Sequence, residues 1–271
     1  MEPDKAQSGI SDSGKIESAK SDSDYTNLDW RSVVLAIVSI ASLFYLFSLP
    51  VIVQSQSYHD FADQRAMYVI ANYANVLSNI AFMLVGGYGL WLCRNLRGLN
   101  TKLAWQIFFI GVALVALGSA YYHFTPSNSS LFWDRLPMTV GFMALFAVLL
   151  AEFVHSWFAK QGLLILLLLG FISLLYWLWF DDLRLYYWLQ LLPIINIPLL
   201  LLLYPAKGKR YALLWGTFAL YLLAKVCEHN DKAVYQYTAY AISGHTLKHL
   251  LASMAILCVC LLVKRKVSEL L

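Results

Sequence analysis

Two pairs of polar residues four positions apart stand at the ends of apolar segments: Ser119 with His123, and His245 with His249. Residues four apart lie on one face of an α-helix, so each pair presents its side chains in one direction. Three imidazole nitrogens with an open fourth position form a ligand set typical of catalytic zinc. Asp134, eleven residues after His123 at the start of the next apolar segment, adds a carboxylate.

The chemistry that this set predicts is hydrolysis. A zinc ion held by the three histidines would lower the pKa of a bound water to about 7 and so supply hydroxide at neutral pH. Asp134 would take and return a proton, and Ser119 would hydrogen-bond the water or a developing oxyanion. The pattern therefore predicts a hydrolytic centre that faces a lipid-accessible cavity.

Each residue also has a purely structural interpretation. A single histidine at the end of a membrane helix is usually an interfacial, hydrogen-bonded residue, and His59, His155 and His229 are interpreted in that way. Asp134 precedes a Leu-Pro pair, so it could cap the next helix. Ser119 could hydrogen-bond to its own helix. We expect a metal site because all five candidates together fit one site better than five separate coincidences.

The composition places these residues in a membrane. Hydrophobic residues make up 60% of the 271-residue chain and charged residues only 13%, which is not the balance of a soluble domain. The basic residues form no continuous patch, which argues against nucleic-acid binding. The four cysteines show no CxxC pairing, so we interpret them as small apolar residues. Eight apolar runs can each span a bilayer: 33–53, 74–93, 103–122, 136–154, 162–180, 185–204, 211–228 and 245–263.

The predicted fold class is an all-α polytopic membrane protein. Residues 1–30 are rich in Ser, Asp and Lys and predict a disordered tail, because such a segment cannot bury enough apolar surface. Lys and Arg concentrate in every second loop, so the positive-inside rule places both termini in the cytoplasm. The basic side holds Arg31, Arg94, Arg97, Lys102, Lys160, Lys207, Lys209, Arg210, Lys264, Arg265 and Lys266, and the other side holds Arg65, Arg135, Arg184 and Lys232.

This topology brings the candidate residues to one membrane face. His123, Asp134 and His245 lie at the outer ends of their helices. Ser119 and His249 each lie one helical turn deeper, roughly 6 Å below the outer interface. Three helices that are distant in sequence therefore present the same chemistry at one depth.

The motifs around these residues carry a resemblance to a known family. The segment GSAYYH ending at His123, Asp134, and the segment SGHTLKH ending at His249 are similar to the Ser-x-x-x-His, Asp and His-x-x-x-His motifs of the alkaline ceramidase family. NVLSN at residues 75–79 resembles the family's Asn-x-x-Ser-Asn. The wider superfamily includes the progestin and adipoQ receptors. The resemblance covers about residues 58 to 263.

The resemblance implies a seven-helix core around an intramembrane zinc that is bound by His123, His245 and His249. It also implies that Ser119 and Asp134 lie beside the metal, in supporting or acid-base roles. The implied activity is cleavage of a ceramide amide to a sphingoid base and a fatty acid. We therefore expect a zinc-dependent intramembrane hydrolase that acts on a ceramide or another N-acyl lipid.

The resemblance also suggests a division of the chain. Residues 1–30 form the cytoplasmic tail, residues 31–57 an extra N-terminal transmembrane helix, and residues 58–271 the ceramidase-like domain. The competing function is a lipid-binding sensor of the adipoQ-receptor type with little or no turnover. The short cytoplasmic loops offer little signalling surface for that function. The sequence does not indicate the oligomeric state.

One departure from the family concerns calcium. Animal alkaline ceramidases have an acidic, calcium-binding stretch before the first core helix, with a Glu three residues before the Asn that Asn75 matches, and here that position is Asn72. Asp60 and Asp63 could hold a cation, or they could cap a turn or pair with Arg65. The variant resembles bacterial members, which implies a bacterial cytoplasmic membrane with the site toward the outer face.

Three further residues have possible substrate-binding or structural roles. Asn75 and Ser78 belong to the motif at residues 75–79. Glu228 lies near the outer end of the seventh apolar run and shares a helix face with Lys225. Glu228 could form an interfacial ion pair with Lys225, or it could contact a polar lipid headgroup at the mouth of the cavity.

Overall fold

The computed structural model describes residues 29–205 and 209–270. Within these residues the chain is α-helical apart from loops, two short 3-10 turns and one isolated bridge between Met67 and Ile70. The helices are α1 Trp30–Ser48, α2 Tyr73–Ser78, α3 Ile80–Cys93, α4 Lys102–Phe124, α5 Asn128–Phe153, α6 Gln161–Phe180, α7 Arg184–Leu203, α8 Lys209–His229, α9 Asp231–Tyr237 and α10 Gly244–Leu270.

Eight helical segments in the described residues are long and apolar enough to cross a membrane. The short α2 and α3 together form one of them, Tyr73–Cys93, and α9 is too short to be one. The predicted fold class, an all-α multi-pass membrane protein with eight spans, is confirmed. The predicted tail lies almost wholly outside the described residues.

Three helix boundaries differ from the prediction. Helix α1 ends at Ser48 rather than at residue 53, because Leu49 precedes Pro50 and has an extended backbone with ψ of 156°. Helix α5 begins at Asn128 rather than at residue 136, since its first two turns are helical although they mix polar residues with Leu131, Phe132 and Trp133. Helix α10 continues to Leu270, beyond the predicted end at residue 263.

Helices α4 and α10 carry the candidate histidines, and each packs between two neighbours. Helix α4 lies against α3 and α5, and α10 lies against α8 and α3. Helix α1 packs on α7, where Trp188 Nε1 and Asn196 Nδ2 each donate a hydrogen bond of 3.1 Å to Ser39. Only Leu35 and Leu46 of α1 are buried. Its edge position is compatible with the proposed division at residue 57, which stays a prediction.

Candidate functional site

The three candidate histidines meet in the interior. His123 comes from the last turn of α4, and His245 and His249 come from the first two turns of α10. Each offers one ligand atom within 4.8 Å of the others, and their exposed fractions are 0%, 5% and 2%. A buried cluster of three imidazoles within this distance can hold a metal ion.

The donor set fits zinc. The Nε2 atoms of His123 and His245 lie 3.2 Å apart. Two ligands at a tetrahedral zinc, each with a Zn–N distance of 2.0–2.1 Å, would be about 3.3 Å apart. Two neutral imidazoles that face each other can share only one N–H, whereas a cation accepts the lone pairs of both. The separation of the two nitrogen atoms is therefore one that two ligands of a single metal ion would have.

A hydrogen bond to Ser78 orients the His249 ring. Its Nδ1 lies 2.7 Å from Ser78 Oγ, and that hydroxyl donates to Asn75 O at 2.9 Å. Because the Ser78 proton is used on Asn75, Nδ1–H of His249 is the donor to Ser78. This tautomer leaves the Nε2 lone pair free for a metal, and a partner of this kind is common behind metal-binding histidines.

Asn75 fixes the beginning of α10 from the same side. Its Oδ1 accepts a hydrogen bond of 2.7 Å from Thr246 Oγ1, and the residue is fully buried. Asp231 contacts the other side of this helix start. Its Oδ1 accepts the backbone N–H of His245 at 2.7 Å, and its Oδ2 accepts the backbone N–H of Ala62 at 2.9 Å. These bonds favour a positioning role for Asn75 over substrate contact.

Two glycines let the ligand-bearing helices approach their neighbours. A Cβ atom at Gly118 would lie 2.0 Å from Trp133 O on α5. A Cβ atom at Gly244, next to His245, would lie 2.1 Å from Cys227 O on α8. Neither added Cβ atom could be accommodated without moving the backbone, so close helix packing requires glycine at both positions.

Asp134 does not cap its helix. Ser127 does so, because its hydroxyl accepts the backbone N–H of Ser130 at 3.2 Å, and Asp134 lies about two turns further on. The Asp134 side chain is buried, and its Oδ1 has no hydrogen-bond partner within residues 29–205 and 209–270. Ser119 and Asp134 line the same cavity. No bond from Ser119 to its own helix is formed in the described chain.

A long cavity of about 260 Å³ begins at these residues. Asp134, Ser119 and His249 line one end, together with Glu228 and several charged neighbours. On α5 the lining runs from Asp134 to Leu149, fifteen residues or about 22 Å of helix. Most of the wall is apolar, including Phe108, Val112, Met138, Phe142, Ile197 and Val259. The shape suits a lipid chain with its polar end at the histidines.

Lys248 was missed in the sequence interpretation. Its Nζ lies 2.9 Å from Glu228 Oε1 and 3.0 Å from His245 Nε2, and it lines the cavity. Lys225 pairs with the other oxygen of Glu228, as the ion-pair interpretation predicts. Glu228 also lines the cavity, so the interpretation as a headgroup contact stays a prediction. The position of Lys248 inside the His-x-x-x-His pair was the available signal.

Arg135 is a correction to the loop assignment. The charge pattern predicts a loop position, but Arg135 lies within α5 and is only 3% exposed. Its guanidinium packs over Trp177 and Tyr186, at 4.3 Å and 4.7 Å from the ring centroids. Its Nη2 donates to Gln54 Oε1 at 2.7 Å. Aromatic faces and one amide oxygen therefore hold this charge at the cavity wall.

The segment before α2 covers the histidines. The buried Phe61 ring lies 4.7 Å from the His123 ring and 5.0 Å from the His245 ring, measured between centroids. The segment is joined to α9 by an ion pair of 2.9 Å between Asp60 and Lys232. This arrangement restricts access of water to the histidines from that side.

The two acidic residues considered for calcium are paired with basic side chains. Asp63 binds Arg65 at 2.7 Å, and Asp60 binds Lys232. Burial raises the pKa of Asp63, but the hydrogen bonds from Arg65 outweigh it and leave the pKa below its usual value. The hydrogen bond from Lys232 lowers the pKa of Asp60. These pairs match the ion-pair alternative and favour it over a calcium site.

Fold and site together define a multi-pass membrane protein with a metal-competent histidine cluster at the polar end of an apolar cavity. The family model for ceramidase matches residues 53–269, from just after α1 to near the end of α10. The chain belongs to the ceramidase family, and it is a hydrolase that acts on the amide bond of a ceramide-like lipid. No curated protein matches the chain. The family match favours an enzyme over a receptor-like sensor.

Proposed function

We propose that the protein is a zinc-dependent intramembrane hydrolase that cleaves a ceramide or a related N-acyl lipid to a free fatty acid and an amine. The observation that carries the proposal is the convergence of His123, His245 and His249, of which His249 lines the apolar cavity. A metal site and a lipid-sized space meet there, as hydrolysis of an acyl amide requires.

His123, His245 and His249 would hold the zinc ion. Imidazole nitrogen is a preferred ligand of zinc, and three protein ligands leave a position open, as in catalytic zinc sites. When bound, zinc supplies a nucleophilic water at neutral pH and polarises the substrate carbonyl. Hydrogen bonding between His249 Nδ1 and Ser78 supports this ligand set by fixing one ring.

Asp134 and Ser119 are the proposed catalytic residues. The Oδ1 atom of Asp134 is buried at the cavity wall and is free to accept the proton of the attacking water. Returning that proton to the amide nitrogen lets the amine leave, so the OH group stays on the acyl carbon and hydrogen goes to nitrogen. Ser119, which lines the cavity together with Asp134, would donate its one hydroxyl proton to the carbonyl oxygen as charge develops there.

The apolar wall explains where the acyl chain goes. About 22 Å of helix separates Asp134 from Leu149 along the cavity, enough for a long chain in an extended conformation. Its methylene groups exchange bilayer hydrocarbon for apolar side chains, so the wall positions the chain by packing and not by removing it from water. The amide then lies at the histidines, and the amine half lies toward the mouth.

We also propose an orientation. The alternation of basic loops supports cytoplasmic termini and a site toward the outer face of the membrane. The resemblance to bacterial ceramidases supports a bacterial cytoplasmic membrane. Residues 1–30, 31–57 and 58–271 remain the proposed tail, extra helix and catalytic domain.

A combined metal and turnover measurement tests the proposal. Purified protein should contain about one zinc per chain and release fatty acid from at least one member of a panel of ceramides and N-acyl amino lipids. His245→Ala with His249→Ala should remove both properties. Less than about half an equivalent of zinc, unchanged by these substitutions, would contradict the metal site.

A further inference from the structure

Helix α7 is interrupted by a proline at the point where it lines the cavity. Pro193 and Ile194 are lining residues, and so is Ile197 one turn further along. Pro193 has no backbone N–H, so the carbonyl of Leu189 lacks its usual partner within the helix. A helix without this bond bends more readily at that point. The backbone of α7 alone therefore holds this wall of the cavity only weakly.

One residue of α1 bonds to α7 on both sides of this proline. The backbone carbonyl of Ser39 accepts a hydrogen bond of 3.1 Å from Nε1 of Trp188, which precedes Pro193. The Ser39 hydroxyl accepts another of 3.1 Å from Nδ2 of Asn196, which follows it. Asn196 is buried. Ser39 therefore joins the two halves of α7 across the missing backbone bond.

Two more contacts join α7 to the residues that flank α1. Near the beginning of α7, Arg184 Nη1 donates a hydrogen bond of 2.8 Å to the carbonyl of Leu49. Directly after α7, the Tyr204 hydroxyl donates one of 3.0 Å to Asp29 Oδ2. The two helices are therefore joined at both ends as well as in the middle, which fixes the register of α1 on α7.

We propose that α1 supports α7 across Pro193, and that Ser39 and Trp188 are positioning residues that keep the acyl wall of the cavity in shape. The inference rests on the proposed function, in which the acyl chain lies along this wall. It goes beyond that function because α1 lies outside residues 53–269, which match the ceramidase family model. Neither side chain lines the cavity in the described part of the chain, so both act through α7 and not on the substrate.

The depth of Pro193 shows which substrates depend on this support. Tyr186 packs against Arg135, the neighbour of Asp134, and so marks the level of the amide. Pro193 lies seven residues further along α7, which is about 10 Å deeper at the helical rise. A long acyl chain must pass Pro193, whereas an acetyl group ends close to the amide. Only long-chain substrates should therefore depend on Ser39.

Kinetics with two ceramides of different acyl length test the inference. N-palmitoylsphingosine and N-acetylsphingosine share the amide and the amine half and differ only in the acyl chain. The test variant combines Ser39→Ala with Trp188→Phe, which removes the hydroxyl acceptor and the indole donor. Its KM for the palmitoyl substrate should rise at least about threefold, the effect of losing one interhelical hydrogen bond of average strength in a membrane. Its kcat for both substrates and its KM for the acetyl substrate should stay unchanged.

Two single variants make the test specific. Ser48→Ala is the matched control, because the Ser48 hydroxyl also lies on α1 and bonds only to Tyr45 O of its own helix among the described residues. Ser39 forms a bond of the same kind to Leu35 O at 2.7 Å, so the control reports the loss of such a bond alone. Ser48→Ala should leave both KM values unchanged. Ser39→Thr keeps the hydroxyl and should behave like the wild-type protein.

An unchanged KM of the double variant for the palmitoyl substrate would overturn the inference, and so would an equal rise for both substrates. If the double variant does not fold, Ser39→Ala alone decides by the same comparison. Displacement of a fluorescent fatty-acid analogue by the two ceramides measures the same difference in metal-stripped protein, without turnover. A palmitoyl-specific loss of affinity with no hydrolysis even by the wild-type protein would refute the proposed hydrolase and leave the support by α1 intact. Hydrolysis with no palmitoyl-specific loss in the double variant would do the reverse.

Discussion

The Nε2 atoms of His123 and His245 lie 3.2 Å apart, although 122 residues separate them in the chain. The contact joins the end of α4 to the beginning of α10. It places the third histidine, His249, within reach of the same point. The proposed hydrolase function depends on this relationship, because a metal must be held by both helices at once.

Asp134→Asn should lower kcat by about 10²- to 10⁴-fold, the usual contribution of a general acid-base group. The amide side chain keeps the shape of the carboxylate but cannot accept the proton. Zinc content should stay at about one equivalent, because Asp134 is not a ligand. Steady-state release of fatty acid measures kcat, and an Asp134→Asn variant with normal turnover would refute the catalytic role.

Ser78→Ala should weaken zinc binding about 10- to 100-fold, because it removes the hydrogen bond that orients His249. Competition with a zinc-binding dye measures the affinity. Ser253→Ala is the matched control on α10, since its hydroxyl contacts only Leu250 O among the described residues. An equal loss in both variants would show that Ser78 has no special role.

Gly118→Ala should destabilise the protein by about 1–3 kcal/mol, because a Cβ atom there would lie 2.0 Å from Trp133 O and must push α4 and α5 apart. Gly87→Ala is the control, since nothing lies within 4 Å of its added Cβ atom. Thermal unfolding in detergent compares the two. Equal midpoints for both variants would contradict the close packing at Gly118.

Asp63→Asn should destabilise the protein at neutral pH and lose its effect in acid. The pKa of Asp63 is lowered in the folded state, so its stabilisation is complete above the unfolded pKa of about 3.9 and disappears as the pH falls through the folded value. Asp60→Asn should have a smaller effect, because Asp60 is more exposed. Unfolding midpoints at several pH values between about 3 and 7 test this, and a difference that grows in acid would contradict it.

Hydropathy was sufficient to predict the eight spans, because membrane insertion depends on local composition. Helix ends were less predictable, since the first turns of α5, up to Asp134, are helical although they contain several polar residues. Without the position of that helix start, capping and catalytic roles for Asp134 were indistinguishable. The histidine cluster was predictable because the distribution of Lys and Arg in the loops indicates a topology in which His123 and His245 lie at the same membrane face.

The charged wall of the cavity could not be predicted in the same way. Arg135 was assigned to a loop because charges usually mark loops, whereas the aromatic faces of Trp177 and Tyr186 hold it inside α5. Lys248 contacts Glu228 only because α8 and α10 approach closely. Pair contacts of this kind depend on the packing of distant segments, which no local pattern of residues encodes.

The most direct test of the zinc-hydrolase proposal is fatty-acid release by the purified protein before metal removal, after removal and after zinc is restored. The substrates are the panel of ceramides and N-acyl amino lipids. We expect release to disappear with the metal and to return with about one equivalent of zinc per chain. The His249→Ala variant should stay inactive under all three conditions. Release that persists without metal, or that is absent even with zinc bound, would contradict the proposal.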